Sequence, residues 1–360
     1  MNATVHVLRQ IDVGDSIALE QAARLLSKRE LSRGTTVLRS PDGSASGGVV
    51  LRHEPLDWKA GKVSVGPFTA EARLRLFEFG VVALRFTFTV PDATAATLME
   101  LSPRLVKESA MFDAKARELW GEIGAQVQGA VTPWDDRAAT ELMEDFTVFV
   151  LPTTFETEPA NERAFAHILL GEPPTRKLAP SMVSDVARRV IRYYEDDLLL
   201  VDYDAAIVVD KEETAELVDI FEIASAQLLE LRFYDALLGR SLERLLRDVR
   251  RARTAAWFFR SPFRRLARRA AILALEIGEL GDRLERAITL VGDTYSAHIY
   301  RETALRFRLA ESGATVREKV EMIGRIGEVL SHEIHSRRDL VLEILVIVLI
   351  AFEVVIAFRP

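Results

Sequence analysis

The sequence predicts an α+β N-terminal domain, followed by a coiled-coil-like domain of long helices that ends in one hydrophobic, transmembrane helix. Three observations support this fold class. In the first half, apolar residues alternate with polar ones, as half-buried strands require. From Glu212 onward the apolar period lengthens to that of helices. The last stretch, 340–358, is almost wholly apolar. We place the three domains at 1–211, 212–338 and 339–358.

Composition excludes several classes of protein. The 360 residues carry a net charge of -7, which gives no general argument for nucleic-acid binding. The chain has no cysteine, so disulfides, thiolate metal sites and cysteine nucleophiles are absent. The N-terminus has no apolar signal core, and its early acidic residues argue against a transit peptide.

In the first half, predicted strands alternate with predicted helices. Leu74, Leu76, Val82, Leu84 and Phe86 follow a period of two, which predicts a pair of strands over 73–91 with a bend at Gly80. The other predicted strands cover 3–11, 35–39, 48–53, 145–155 and two segments of 197–210. The predicted helices follow Asp15 and cover 93–127, 160–170 and 181–194.

The second half predicts three long helices. The first extends from Glu212 to about Ala256, and the Ser-Pro-Phe sequence at 261–263 ends it. The second covers about 264–310, and the third begins after Gly313. Helices of this length cannot bury their apolar stripes within one small domain, so we expect a hairpin or a homo-oligomer.

Residues 340–358 predict a membrane anchor. Nineteen helical residues extend about 28 Å, close to the roughly 30 Å hydrocarbon core of a bilayer. Glu343 and Glu353 interrupt the run about 80° apart around the helix axis, so we expect them at contacts between copies in the membrane. A buried helix in a bundle is the alternative. The expected location is a single-pass protein in a bacterial inner membrane, with its bulk on the cytoplasmic side.

Residues 244–269 hold ten arginines against one acidic residue, Asp248. Three interpretations fit this stretch. It could bind an anionic lipid surface, or RNA whose bases stack on the aromatic rings. Alternatively it binds no partner, and the rings close a helical hairpin. The predicted binding residues are Arg247, Arg250, Arg251, Arg253, Trp257, Phe258, Phe259, Arg260, Arg264, Arg265, Arg268 and Arg269.

No enzymatic motif is present. The acidic residues between Glu195 and Asp210 could form a metal site, but acidic clusters at strand ends are more typical of turns. We therefore expect no catalytic residue, no metal, no cofactor and no small-molecule substrate.

Several segments resemble the "required for meiotic nuclear division" family. The matching sequences are FEFGVVAL (77–84), DDLLLVDYDAAIVVD (196–210), LLELRFYDALL (228–238), GDTYSAHIYRETALRFRL (292–309) and the closing hydrophobic helix. The first 70 residues have no match. The family motif comprises Leu228, Leu229, Glu230, Leu231, Arg232, Tyr234 and Asp235, of which Arg232 and Asp235 could pair as i,i+3 neighbours.

The resemblance implies a non-enzymatic, membrane-anchored oligomer, similar to mitochondrial members that support organellar translation. From this we expect a homo-oligomeric scaffold that contacts membrane lipid. The alternative is an RNA- or ribosome-binding protein that uses the arginine-rich turn.

Overall fold

A computed structural model gives the fold. It describes residues 2–27, 31–33, 37–38, 48–133, 142–152, 161–192, 197–210, 215–255, 263–286, 288–291 and 295–357. Within the helices, the side chains of 215–216, 252–255, 276, 279–286, 333–342 and 351–357 lie outside that description.

The centre of the fold is an eight-stranded sheet. Its strands in chain order are β1 (Ala3–Asp12), β3 (Leu31–Arg33), β6 (Leu56–Val65), β7 (Phe68–Leu76), β8 (Val81–Val90), β10 (Met143–Pro152), β11 (Leu198–Val201) and β12 (Ala205–Asp210). Their spatial order is β11-β12-β10-β1-β8-β7-β6-β3. All pairs are antiparallel except β10 with β12, which are parallel.

Two small sheets accompany the large one in the described chain. β2 (Ser16–Ile17) pairs with β9 (Val131–Thr132). β5 (Gly48–Leu51) lies between β4 (Val37–Leu38) and β13 (Ile288–Val291). The second small sheet therefore joins parts of the chain that are distant in sequence.

The part of the chain that the structure describes contains nine α-helices and one 3-10 turn, Gln128–Ala130. The helices are α1 (Leu19–Leu25), α2 (Ala95–Lys107), α3 (Ser109–Val127), α4 (Glu162–Leu170), α5 (Pro180–Ala187), α6 (Ala215–Ala255), α7 (Phe263–Arg286), α8 (Tyr295–Arg306) and α9 (Leu309–Ala357). Thr94 caps α2 by accepting a hydrogen bond from the Thr97 N–H.

Both faces of the large sheet pack against a hydrophobic core. Because side chains alternate between the two faces along each strand, one strand contributes to both cores. Val5, Val7 and Ile11 of β1 belong to a core that includes Phe112 and Trp120 of α3. Leu8, between them, belongs to a second core with residues of α6 and α8. In that second core the Phe146 ring lies 5.5 Å from the Phe221 ring.

The first turns of α6 are attached to the sheet through buried charges. Arg73, Arg75 and Arg85 point from β7 and β8 toward three carboxylates, those of Asp57, Asp219 and Glu222. Arg85 Nε donates to Glu222 Oε2 at 2.8 Å, and Arg75 forms a two-pronged pair with Asp57 at 2.7 and 2.9 Å.

Burial by itself raises the pKa of Asp219 and of Glu222, but the three guanidiniums lower both pKa values by more. Both carboxylates are therefore ionised in the folded protein. The three positive and three negative charges balance within the cluster, and its ion pairs join the first turns of α6 to β7 and β8.

The chain packs as two compact units. The first comprises Met1–Phe233 and Arg283–Glu311 and contains the sheets; the second comprises Tyr234–Asp282 and Ser312–Pro360. Helix α6 contributes residues to both units. The domain limits that we drew from sequence at 211 and 338 stay a prediction.

The predicted fold class is wrong, because the protein has a mixed α/β fold. Residues 217–229 and 295–309, assigned to the helical half, contribute to the core on the sheet. The single helix predicted over 264–310 is instead α7, strand β13 and α8. Ile288–Val291 is a short apolar run that pairs with β5, and periodicity does not distinguish such a run from helix.

The predicted transmembrane helix is also wrong. Among the residues with described side chains, none of the helices has the length and apolar character needed to cross a bilayer. This finding overturns the single-pass membrane location and the membrane anchor predicted over 340–358.

Candidate functional site

The second unit carries the arginine-rich stretch on two helices, α6 and α7. Leu238 and Leu245 of α6 are buried, and so are Phe263, Leu266 and Ala270 of α7. These spacings of three, four and seven residues place the apolar side chains on one stripe of each helix. The arginines occupy the remaining surface, where guanidiniums stay hydrated.

A groove of about 550 Å³ lies between the two helices. Four arginines line it: Arg244, Arg247 and Arg251 from α6, and Arg269 from α7. Positions 244, 247 and 251 are three and four residues apart, so these three side chains share one face of α6. The groove therefore concentrates positive charge from two helices around one space.

Asp248 is the only acidic residue that lines this groove among the described side chains. Its Oδ2 lies 4.0 Å from Nη1 of Arg269, the outer limit of an ion pair, and the Arg269 side chain is 77% exposed. Arg247 Nε donates to the Glu243 carbonyl at 3.4 Å. Exposed contacts of this kind contribute at most about 1 kcal/mol, so the guanidiniums of Arg247 and Arg269 can turn toward a ligand at little cost.

The floor of the groove is apolar. Leu245, Leu266 and Ala270 are at most 8% exposed, and Leu273 is half-buried. Ile272 remains 43% exposed at the edge. An apolar floor with charged walls suits an anionic ligand that also carries a flat, weakly polar part.

The structure brings together some of the predicted binding residues. Arg247, Arg251 and Arg269 line the groove. Four others are exposed on the same two helices: Arg250, Arg264, Arg265 and Arg268. The side chain of Arg253 and all of Trp257, Phe258, Phe259 and Arg260 lie outside the described residues.

Sequence reasoning did not identify four of the residues that line the groove: Arg244, Leu245, Asp248 and Leu266. A signal was present: Arg244, Asp248 and Arg251 are spaced by four and three residues, the spacing of neighbours on one helix face. Their partner on α7 could not be assigned, because the sequence does not specify which faces of two helices meet.

The LLELRFYD motif has a structural role in this fold. Leu228, Leu229, Glu230 and Tyr234 are buried. The predicted Arg232–Asp235 pair is absent, because each side chain has another partner. Arg232 Nη1 lies 2.5 Å from Glu144 Oε1.

Asp235 instead pairs within the second unit, where its Oδ1 lies 2.7 Å from Nζ of Lys319. Leu231 is half-buried and packs against the core on the sheet. Two charged side chains of the motif, those of Arg232 and Asp235, therefore form ion pairs with residues outside it.

The acidic segment near 197–210 forms ion pairs. Asp202 is held by Arg306 and by Arg189, whose Nη1 lies 3.3 Å from Oδ2. Burial raises the pKa of Asp204, and Asp145 and Asp202 add to this effect. The described residues contain no group of three side chains placed to bind a metal ion.

Of the two glutamates in the apolar run 340–358, Glu343 is exposed and the side chain of Glu353 is not described.

The fold and the groove together define a mixed α/β protein whose second unit carries an arginine-lined groove. The chain belongs to the family described as "Uncharacterized protein MJ0711, N-terminal domain", whose model matches residues 2–216. It is similar to "Uncharacterized protein MJ0711" of Methanocaldococcus jannaschii, with 24% identity over 229 residues, which cover 61% of this chain and 67% of the relative. No solved structure matches the chain.

The resemblance to the "required for meiotic nuclear division" family is therefore wrong. The matching family model covers the first 70 residues, for which that resemblance offered nothing. The groove residues, between 241 and 273, lie beyond the matched range of 2–216, so the family match does not extend to the groove.

Proposed function

We propose that this protein is a non-enzymatic RNA-binding protein, and that the groove between α6 and α7 holds the phosphate backbone of a single strand. The observation that carries the proposal is the convergence of four arginines from two helices on one groove, where Asp248 is the single carboxylate among the described side chains. Guanidiniums bind phosphate oxygens through paired N–H donors, and this attraction needs no base sequence.

The surroundings of the groove support the same function. Arg250, Arg264, Arg265 and Arg268 are exposed on the same helices and extend the positive surface beyond the groove. The whole chain carries a net charge of -7, so this local excess of positive charge is not a consequence of composition. A basic surface on an acidic protein is the electrostatic footprint expected of a polyanion site.

Fluorescence anisotropy of a labelled oligouridylate, measured across a range of KCl concentrations, tests the proposal. Four phosphate contacts to a single strand predict a slope of about -3 for log K against log [KCl]. We expect the slope to fall close to zero when the four groove arginines become glutamine, in R244Q/R247Q/R251Q/R269Q.

A matched control removes the same charge from the first unit. The variant R104Q/R117Q/R176Q/R188Q replaces four exposed arginines that lie outside the groove. It should bind RNA with the affinity and slope of the unmodified protein. The proposal fails if the groove variant retains normal binding, or if the control variant loses as much. Preferential binding of single-stranded DNA, or of anionic vesicles, would also contradict it.

A second candidate function, a homo-oligomeric scaffold, has one supporting observation. The seven residues Ile344–Ile350 of α9 are all large and apolar, and each is 42 to 59% exposed in a single copy. Successive helix positions point in all directions, so a single neighbouring helix could not cover them. We therefore propose a bundle in which α9 segments from several copies surround one another.

Sedimentation velocity of the full chain tests this scaffold. We expect a defined oligomer that dissociates when Val346, Ile347 and Ile350 become serine. A serine substitution at Leu305, an apolar residue of α8 that is 68% exposed, is the control and should leave the mass unchanged. A monomer over the micromolar range, before any substitution, would contradict self-association.

A further inference from the structure

The groove has room and chemistry for more than a phosphate chain. Its volume of about 550 Å³ falls within the range of sites that enclose small organic groups. Leu245, Leu266 and Ala270 form a floor that offers no hydrogen-bonding side chain. Apolar side chains can pack against the flat face of a nucleobase, since burial of that face does not depend on the groups at the base edge.

Asp248 supplies the group that can read such a base. Its carboxylate lies among four guanidiniums, and the one ion pair described for it, with Arg269, is at 4.0 Å. The Asp248 side chain is 39% exposed, so its oxygens keep free acceptor positions. In a groove built only for phosphate, a carboxylate would weaken binding by repelling the ligand.

Resting on the RNA-binding function proposed above, we propose that the groove seats one guanine base and that Asp248 accepts hydrogen bonds from its edge. Guanine presents two neighbouring donors, N1–H and the N2 amine, which match the two oxygens of one carboxylate. Cytosine and adenine present an amine beside a ring-nitrogen acceptor, and uracil presents one N–H between two carbonyls. Each of these three bases therefore places an acceptor against the carboxylate.

In this arrangement the arginines and Asp248 contribute to different properties of RNA binding. Arg244, Arg247 and Arg251 contact the phosphates and set the overall affinity, whereas Asp248 sets the preference among bases. Arg269 leaves its loose pair with Asp248 when RNA binds, because a phosphate offers it a stronger, charge-assisted contact.

Three eleven-nucleotide RNAs test the proposal with the full chain. All are oligouridylates, with guanosine, inosine or uridine at the central position. Inosine keeps N1–H but lacks the exocyclic amine. We expect the guanosine strand to bind about tenfold more tightly than the uridine strand, with inosine between them. D248N should abolish this order and raise the affinity for the all-uridine strand, since it removes a charge that repels the phosphates.

The matched control is D185N, which removes another exposed carboxylate that forms a loose pair, at 3.8 Å, with Arg188. It should retain the guanosine preference. If no RNA binds, both this proposal and the proposed function fail. If all three RNAs bind equally, or if D248N retains the preference, the proposed function survives and the guanine site is refuted.

Discussion

The buried charge cluster on the sheet yields the sharpest stability prediction. The Glu222 side chain is 1% exposed and faces three guanidiniums, with Oε2 at 2.6 Å from Arg85 Nη2 and Oε1 at 3.3 Å from Arg75 Nη1. Glu222→Ala leaves three arginines with the two carboxylates of Asp57 and Asp219. One buried positive charge is then unbalanced, which costs about 3–5 kcal/mol of the free energy of unfolding.

A double variant separates the charge effect from simple loss of packing. Arg85→Met/Glu222→Leu removes one charge of each sign and fills the space with apolar atoms. The cluster is balanced again, so we expect the pair to be destabilised by less than the sum of the two single variants, by at least about 2 kcal/mol.

Urea unfolding followed by tryptophan fluorescence provides the assay. Trp58 and Trp120 are each 6% exposed and lie in the core of the first unit. Replacing Trp134 and Trp257 by Phe restricts the signal to these two. Glu118→Ala, which breaks an exposed pair with Lys115, is the control and should cost at most about 1 kcal/mol. A cost below 1 kcal/mol for Glu222→Ala, or additive single variants, would refute the charge-balance account.

Three further predictions concern the first unit. Burial raises the pKa of Asp12 to about 7, so the folded state binds this proton more tightly than the unfolded state. Stability should therefore decline as pH rises from about 4 to about 7, by roughly 4 kcal/mol in total, and Asp12→Asn should remove the decline in urea titrations. Burial, with nearby arginines, lowers the pKa of His6 to about 3. The unfolded state then binds the extra proton, so stability should fall as pH drops from about 6.5 to about 3, and His6→Gln should remove this fall. Gly80 has a φ of +91° and its added Cβ would lie 1.6 Å from the Gly14 carbonyl oxygen, whereas Gly61, at φ +82°, has open space. Gly80→Ala should cost about 4 kcal/mol or more and Gly61→Ala only about 1 kcal/mol, measured by thermal unfolding; equal costs would contradict the steric argument.

Local pattern predicted many of the strands and helices. The alternation over 73–91 corresponds to β7 and β8, with a tight turn at Gly80. The period change after Glu212 corresponds to α6. These elements were predictable because each buries one regular face, which leaves a period in the sequence.

Other elements gave no such signal. Strand β6 was missed because its middle residues, 59–64, are largely exposed and do not alternate clearly. The burial of Asp219 and Glu222 was also unpredictable, since charged residues in a helix are ordinarily assigned to its solvent side. Their arginine partners lie more than 130 residues earlier in the chain.

The candidate site was predictable as a charged stretch but not as a groove. Counting arginines over 244–269 identified the stretch. The position of Asp248 beside Arg269 depends on how two helices pack, which no single-helix pattern contains. Residues 340–358 show the opposite error: an apolar length suggested a membrane span, and none was found among the described side chains.

The pairing of β5 with β13 has a consequence for biosynthesis. Leu51 lies opposite Ile288, so this small sheet cannot close until residues 288–291, more than 230 positions after β5, have left the ribosome. At about 5–20 residues per second, β5 waits at least about ten seconds for its partner strand. During that interval its edge is open to other nascent chains, so early folding of this protein should benefit from a chaperone that shields strand edges.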